Sequence, residues 1–183
     1  MDLLWPIAIV SGVLVALAIG RYNRLVYLRQ LTRNAWSDIS VHLNRRAELV
    51  PNIVEAVRAY ARHEQATFEA LAAARSKALA AAEPGARAEA ESAVASGLER
   101  ALLLAEAYPE LKASTNFLRL QEELTATEDA IANARKYYNA CVRDYNTALE
   151  TFPDSLLASL GGFRPARFFE PEAEVSRAPR VGA

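Results

Sequence analysis

The chain has 183 residues and a formal net charge of −1, with 21 Lys and Arg against 22 Asp and Glu. This length suffices for one domain with a hydrophobic core, and the balanced charge excludes the strongly basic surface of a typical nucleic-acid-binding protein. Alanine, leucine, arginine and glutamate dominate, while glycine and proline are sparse. That composition predicts long helices and an all-α fold. The single cysteine, Cys141, excludes an intrachain disulfide, and we interpret it as a small buried side chain.

The first predicted element is an uncharged stretch from Leu3 to Gly20. As a helix it is about 27 Å long, close to the thickness of the hydrocarbon core of a bilayer. We predict a transmembrane anchor over residues 1–21, with Trp5 and Tyr22 at the two interfaces. A cleaved signal peptide is the alternative, because residues 16–18 (Ala-Leu-Ala) resemble a cleavage site. The N-terminus lacks a basic segment, however, and the apolar run is long for a signal core.

Arginines follow this apolar stretch, whereas Asp2 and the α-amine are the only charged groups before it. We assign Arg21, Arg24 and Arg29 to the membrane interface, beside anionic head groups. The positive-inside rule then places the N-terminus outside and everything after the span in the cytoplasm.

The span also carries small residues at every fourth position: Gly12, Ala16 and Gly20. This small-xxx-small pattern lets two membrane helices approach closely. We expect a homo-oligomer packed through this face, surrounded by membrane lipid.

The next part of the chain predicts three helices separated by prolines. Apolar residues recur at helical spacing from Tyr22 to about Glu48, and Pro51 is the first interruption. Because proline disrupts a helix interior, we predict a sharp kink or a tight turn there, followed by a second helix over residues 52–82. The sequence Glu83-Pro84-Gly85 predicts a turn, and a third helix over residues 86–108 precedes Pro109.

The fourth predicted helix has the clearest pattern, with a large apolar residue at every seventh position. These seam residues are Phe117, Leu124, Ile131, Tyr138, Tyr145 and Phe152. An N-cap lies within residues 114–116, and Pro153 ends the helix. A helix of this length needs other helices to cover its seam. Asn139 and Asn146 flank the seam, and we expect them to set its register by hydrogen bonding.

The C-terminal part predicts a short helix that stops at Gly161-Gly162, with Asp154 as a potential cap. Aromatic and arginine residues alternate over residues 163–169. We favour a flap packed over the end of the bundle, and a contact with the membrane surface is the alternative. The predicted segments are thus an anchor (1–21), a helical bundle (22–152), a short helix and flap (153–170) and a disordered tail (171–183).

Residues with catalytic potential are scattered. His42 and His63 lie 21 positions apart without a set of cysteine or acidic ligands at metal spacing. The chain contains no phosphate-binding, dinucleotide-binding or nucleophile-elbow motif. We therefore predict no catalytic, cofactor-binding or metal-binding residues, no small-molecule substrate and no enzymatic activity.

Three blocks of sequence resemble the LemA family of bacterial membrane proteins. They are RYNRLVYLRQLTRNAWSDISVHLNRRAELVPNIVEAVRAYARHE, AEAYPELKASTNFLRLQEELTATEDAIANARKYYNACVRDYN and FPDSLLASLGGFRPARFFE, which together lie within residues 21–170. The resemblance implies a four-helix up-and-down bundle behind one transmembrane helix in the bacterial inner membrane. It implies no catalytic residue or cofactor. Some members are associated with magnetosome membrane formation, so the resemblance also implies a role in organising membranes.

From these features we expect a non-enzymatic, membrane-anchored helical scaffold that self-associates or docks an unidentified partner protein. The alternative is a regulatory subunit or adaptor of a membrane-bound enzyme such as a protease, in which the bundle presents a binding face. Neither hypothesis involves nucleic acid.

Overall fold

The computed structural model describes residues 4–170, so the predicted disordered tail lies outside the described residues. Within this range the regular elements are six helices. They are α1 (Leu4–Arg58), α2 (Gln65–Ala80), α3 (Pro84–Glu106), α4 (Pro109–Lys112), α5 (Thr115–Glu150) and α6 (Asp154–Leu160). The predicted all-α fold class is confirmed.

Helices α1, α2, α3 and α5 run up and down beside one another. Helix α5 is antiparallel to α1, because Arg46 pairs with Glu128 in the first half of α5 and Arg24 pairs with Asp154 just beyond its end. Helix α2 returns along the last third of α1, and α3 then runs parallel to α1. Among the helices, α1 packs most extensively against α5, and α2 packs most extensively against α3.

Helix α1 contains 55 residues, which corresponds to roughly 80 Å. It continues through Pro51 and ends at Arg58, so the predicted tight turn at Pro51 and the start of a second helix at residue 52 are wrong. A proline at this position leaves the carbonyl of Ala47 without its helical donor. The Nε of Arg75 in α2 donates to that carbonyl at 2.6 Å. This contact between helices satisfies the orphaned acceptor, and the chain turns at residues 59–64 instead.

The other helix boundaries lie close to their predicted positions. Pro84 occupies the first turn of α3, where its missing N–H costs little. The Cβ that Gly97 lacks would come within 2.9 Å of Leu71, so glycine permits the close approach of α2 and α3. Helix α5 ends at Glu150, two residues before Phe152. Phe152 is therefore outside the helix and 75% exposed, which corrects its assignment to the seam.

The core consists of three clusters stacked along α1. The distal core joins α1, α2, α3, α4 and the start of α5 around Ile53, Phe68, Val94 and Phe117. The middle cluster joins α1 and α5 around Ile39 and Tyr138, together with Ala88 of α3 and Phe169 of the C-terminal segment. The proximal cluster joins α1, α5 and α6 around Leu25 and Tyr145. The bundle thus narrows from four long helices at the distal end to two at the end nearest the apolar stretch.

Candidate functional site

The apolar N-terminal part of α1 projects from the bundle without cover. It is the one helix within the described residues that is long and apolar enough to cross a membrane, and the apolar window has a mean hydropathy of 1.6 with no residue buried. Trp5 lies exposed at its start. The predicted packing residues Gly12, Ala16 and Gly20 share one face, and nothing lies within 4 Å of a Cβ built on Gly12 or Gly20. This face is open to another helix.

The arginines after the apolar stretch contact α6. Arg24 Nη1 lies 2.7 Å from Asp154 Oδ2, and Arg21 Nη1 lies 3.5 Å from Asp154 Oδ1. The Asp154 carboxylate is almost fully buried, and the residue lies in the first turn of α6, whose N-cap is Pro153. Because a buried carboxylate needs a compensating charge, these arginines hold α6 against the base of the bundle.

Aromatic contacts reinforce this junction. Tyr22 meets Phe163 edge to face, with the ring centroids 5.5 Å apart. The guanidinium of Arg29 lies 4.8 Å from the centroid of the same Phe163 ring, a distance at which cation–π attraction operates. Two predicted interface residues therefore also bind the C-terminal segment.

Residues 161–170, which we call the strap, run along the groove between α1 and α5. Asn146 donates to the carbonyl of Ala166 and accepts from its N–H, each at 2.9 Å. Asn139 accepts from the Phe169 N–H at 2.9 Å. The partners of both asparagines belong to the strap, so the expected role of these residues in helix register is replaced by attachment of the strap.

The strap packs along the side of the bundle and reaches its proximal cluster through Phe163. Tyr138 Oη donates to the carbonyl of Arg167 at 2.7 Å. Burial, with a smaller contribution from Glu83, raises the pKa of Tyr138 to about 12. The phenol therefore stays protonated at neutral pH and keeps its donor.

The seam of α5 thus contacts both the other helices and the strap. Four other predicted seam residues are also buried: Phe117, Leu124, Ile131 and Tyr145.

An ionic network joins α1, α3 and α5, and its members on α1 and α3 are buried while Glu128 on α5 is partly exposed. Arg46 donates to both carboxylate oxygens of Glu128, at 2.8 and 3.0 Å, and to Glu91 Oε2 at 2.6 Å. Arg87 donates to Glu91 Oε1 at 2.6 Å and to Asn44 at 3.1 Å. Burial on its own would lower the pKa of Arg46, but the charges and hydrogen bonds of Glu128 and Glu91 outweigh it and raise that pKa.

A cleft of about 260 Å³ opens beside this network, between α3 and α5, with Phe169 of the strap at its rim. Its charged walls include Arg46, Glu91 and Glu128, which pair with one another. Among residues 4–170, histidine, cysteine and acidic side chains form no group of three or more that could hold a metal ion. The arrangement of the network is that of a structural cross-link between helices.

The sequence did not point to Arg46 or Arg75, and it suggested for Asp154 only the role of a helix cap. Arg46 carried a usable signal, since it occupies a position in the apolar stripe formed by Ile39, Leu43, Val50 and Ile53. A charged residue at such a position implies a buried partner. Arg75 and Asp154 carried no comparable signal, because their partners are distant in sequence.

Comparisons with known proteins find similarity to magnetosome proteins and to a LemA protein. Magnetosome proteins MamQ 1 and MamQ 2 of Paramagnetospirillum magneticum are each 31% identical over 75 residues. The match covers 41% of this chain and 28% of each relative. Protein LemA of Metamycoplasma hominis is 26% identical over 142 residues, which cover 77% of this chain and 65% of that protein.

These relatives and the uncovered apolar helix together indicate a membrane-associated helical protein. The model of the LemA family matches residues 35–182. This range includes the distal core, the ionic network and the strap. The chain belongs to the LemA family.

Proposed function

We propose that this protein is a non-enzymatic scaffold whose first helix anchors it in a bacterial cytoplasmic membrane and whose copies self-associate or dock partner proteins. The observation that carries the proposal is the continuity of α1. The same helix that exposes the apolar residues 5–19 enters the distal core at Ile53 and Val57. Because no loop separates the two parts, the bundle is coupled mechanically to the span.

The face formed by Gly12, Ala16 and Gly20 supports self-association through the span. Small residues permit close contact between helix backbones within lipid. A shared membrane also raises the effective concentration of the copies, so weak contacts suffice for assembly. The bundle buries its own seam, and residues 22–183 alone should therefore be mostly monomeric.

The assembly is tested with full-length protein in native nanodiscs. We expect a homo-oligomer by single-particle mass measurement, and we expect Gly12→Leu with Ala16→Leu to shift it towards the monomer because the larger side chains separate the helices. Ala18→Leu is the control for Ala16→Leu, since it adds the same volume as that substitution about 200° away around the helix. Wild-type protein that is monomeric and recovers no partner contradicts the scaffold proposal.

The orientation is tested separately. We propose a cytoplasmic bundle, because arginines follow the span and the segment before it has no basic side chain. In a Cys141→Ser background, Ser96→Cys places a thiol on the exposed surface of α3. An impermeant maleimide should label this thiol only after the cells are opened. Labelling of intact cells would place the bundle outside.

A further inference from the structure

Three large apolar residues in and just before α6, at the base of the bundle, are exposed, and we call them the α6 apolar face. Phe152, Leu156 and Leu160 are 75%, 57% and 86% exposed. Asp154 and Ala158, on the opposite side of the short helix, are buried against the rest of the protein. The chain itself therefore covers the side of α6 that carries Asp154 and Ala158, and it leaves the large apolar residues on the other side uncovered.

The position of α6 along α1 indicates what covers the other side. Asp154 pairs with Arg21 and Arg24, which follow Gly20 by one and four residues, or about 1.5 to 6 Å along the helix axis. The polar layer on each side of a bilayer hydrocarbon core is about 5–7 Å thick. When the span occupies the hydrocarbon core, α6 begins at the depth of the lipid head groups. This step rests on the proposed membrane anchor.

The chemistry around α6 matches that depth. Arg21 and Arg24 remain about half exposed while paired to Asp154, so their guanidinium groups can also contact phosphate. Leucine and phenylalanine side chains on a helix that lies in the interface bury themselves at the boundary between head groups and acyl chains. Exposed apolar residues at this place would otherwise face water.

We propose that the α6 apolar face is a second membrane-binding surface, which inserts Phe152, Leu156 and Leu160 into the interface of the bilayer that the span crosses. The occupant is phospholipid. The ion pairs between Asp154 and α1 hold α6 to the base of the bundle, so insertion of α6 restricts the tilt of the whole bundle relative to the membrane. The protein then has two attachments to one bilayer, and the second attachment, through α6, sets the orientation of the bundle relative to that bilayer.

The test uses full-length protein in vesicles of phosphatidylcholine and phosphatidylglycerol, in the Cys141→Ser background. An environment-sensitive fluorophore is attached at Leu160→Cys. Leu14→Cys reports on the span, and Leu103→Cys, an exposed leucine on α3, is the matched control far from the membrane. Each labelled protein is titrated with lipids that carry a nitroxide near the head group or near the acyl end, and with aqueous iodide.

We expect emission from the Leu160→Cys probe to shift to shorter wavelength on reconstitution and to be quenched more by the shallow nitroxide than by the deep one. The Leu14→Cys probe should respond most to the deep nitroxide, and the Leu103→Cys probe only to iodide. A Leu160→Cys probe that matches Leu103→Cys overturns the inference while the Leu14→Cys probe still supports the anchor.

Two further outcomes are decisive. Protection of the Leu160→Cys probe from both iodide and nitroxide shows that protein, such as a second copy, covers the face and overturns the lipid assignment. Failure of nitroxide lipids to quench the Leu14→Cys probe refutes the anchor itself, and with it the depth argument. Circular dichroism of each variant verifies that the helices are intact.

Discussion

At the scale of single residues, Tyr138 attaches the strap to α5 through one hydrogen bond, which its phenol donates. Its phenol is neutral when it donates to Arg167, and burial raises its pKa from 10.0 to about 12. A folded-state pKa above the unfolded value means that the contribution to stability is fully present below pH 10 and is lost as the pH rises from 10 to about 12. The titration therefore lies well above neutral pH.

The direction of this pKa shift gives a prediction for Tyr138→Phe, which removes both the hydrogen-bond donor and the titrating group. We expect the melting temperature of the wild type to exceed that of Tyr138→Phe by a constant margin from about pH 7 to about pH 9, and the margin to shrink above about pH 10. Thermal unfolding in mild detergent, followed by circular dichroism, measures it. Exposed Tyr27→Phe is the control and should leave the melting temperature unchanged. A difference in melting temperature that stays constant up to about pH 11, about one unit above the pH at which the decline should begin, contradicts the expected contribution of the neutral phenol to stability.

At the scale of the helix, Arg75 compensates for the hydrogen bond that Pro51 removes, and α1 stays continuous. The proline removes the donor to Ala47, and Arg75 supplies another from α2. We expect Arg75→Met to lower the free energy of unfolding by about 1.5–3 kcal/mol, the range for a hydrogen bond from a charged group. In a Pro51→Ala background the backbone N–H of residue 51 serves Ala47, so the same substitution should cost less.

A double-mutant cycle measures this coupling, which we expect at about 1–2 kcal/mol. Urea unfolding of full-length protein in detergent gives each free energy, and exposed Lys77→Met serves as the control for loss of a cation on α2. Additive effects of Pro51→Ala and Arg75→Met would show that Arg75 does not compensate for the proline.

The same pair shows where sequence-based prediction ends. The α5 helix and the turn before Pro84 could be predicted, because heptad spacing and turn residues are local signals. The continuity of α1 could not, since the donor that rescues Ala47 is 28 residues away. The roles of Asn139 and Asn146 were missed for a similar reason. Their partners are backbone groups of the strap, which has no periodic pattern of its own.

At the scale of the whole molecule, the two ends of the bundle should differ in local stability, because the bundle narrows towards the apolar stretch. The distal core is covered by four long helices, whereas the proximal cluster depends on α1, α5, α6 and residues of the strap such as Phe163. Regions with fewer buried contacts open at lower free energy than the core. The strap therefore takes the place of helices α2 and α3 as the cover of the end nearest the apolar stretch, and loss of its attachments should loosen that end alone.

Asn146→Ala tests this division, because it removes both hydrogen bonds to Ala166. We expect the free energy of local opening to fall by about 1–3 kcal/mol near Leu25 and Tyr145, and to stay unchanged near Ile53 and Val94. Amide hydrogen exchange of full-length protein in nanodiscs, read by mass spectrometry, resolves the two ends. The control is Asn133→Ala, an exposed asparagine on the same helix, which should alter neither end. Faster exchange at both ends in Asn146→Ala would mean that the bundle opens as one cooperative unit and that the strap stabilises all of it.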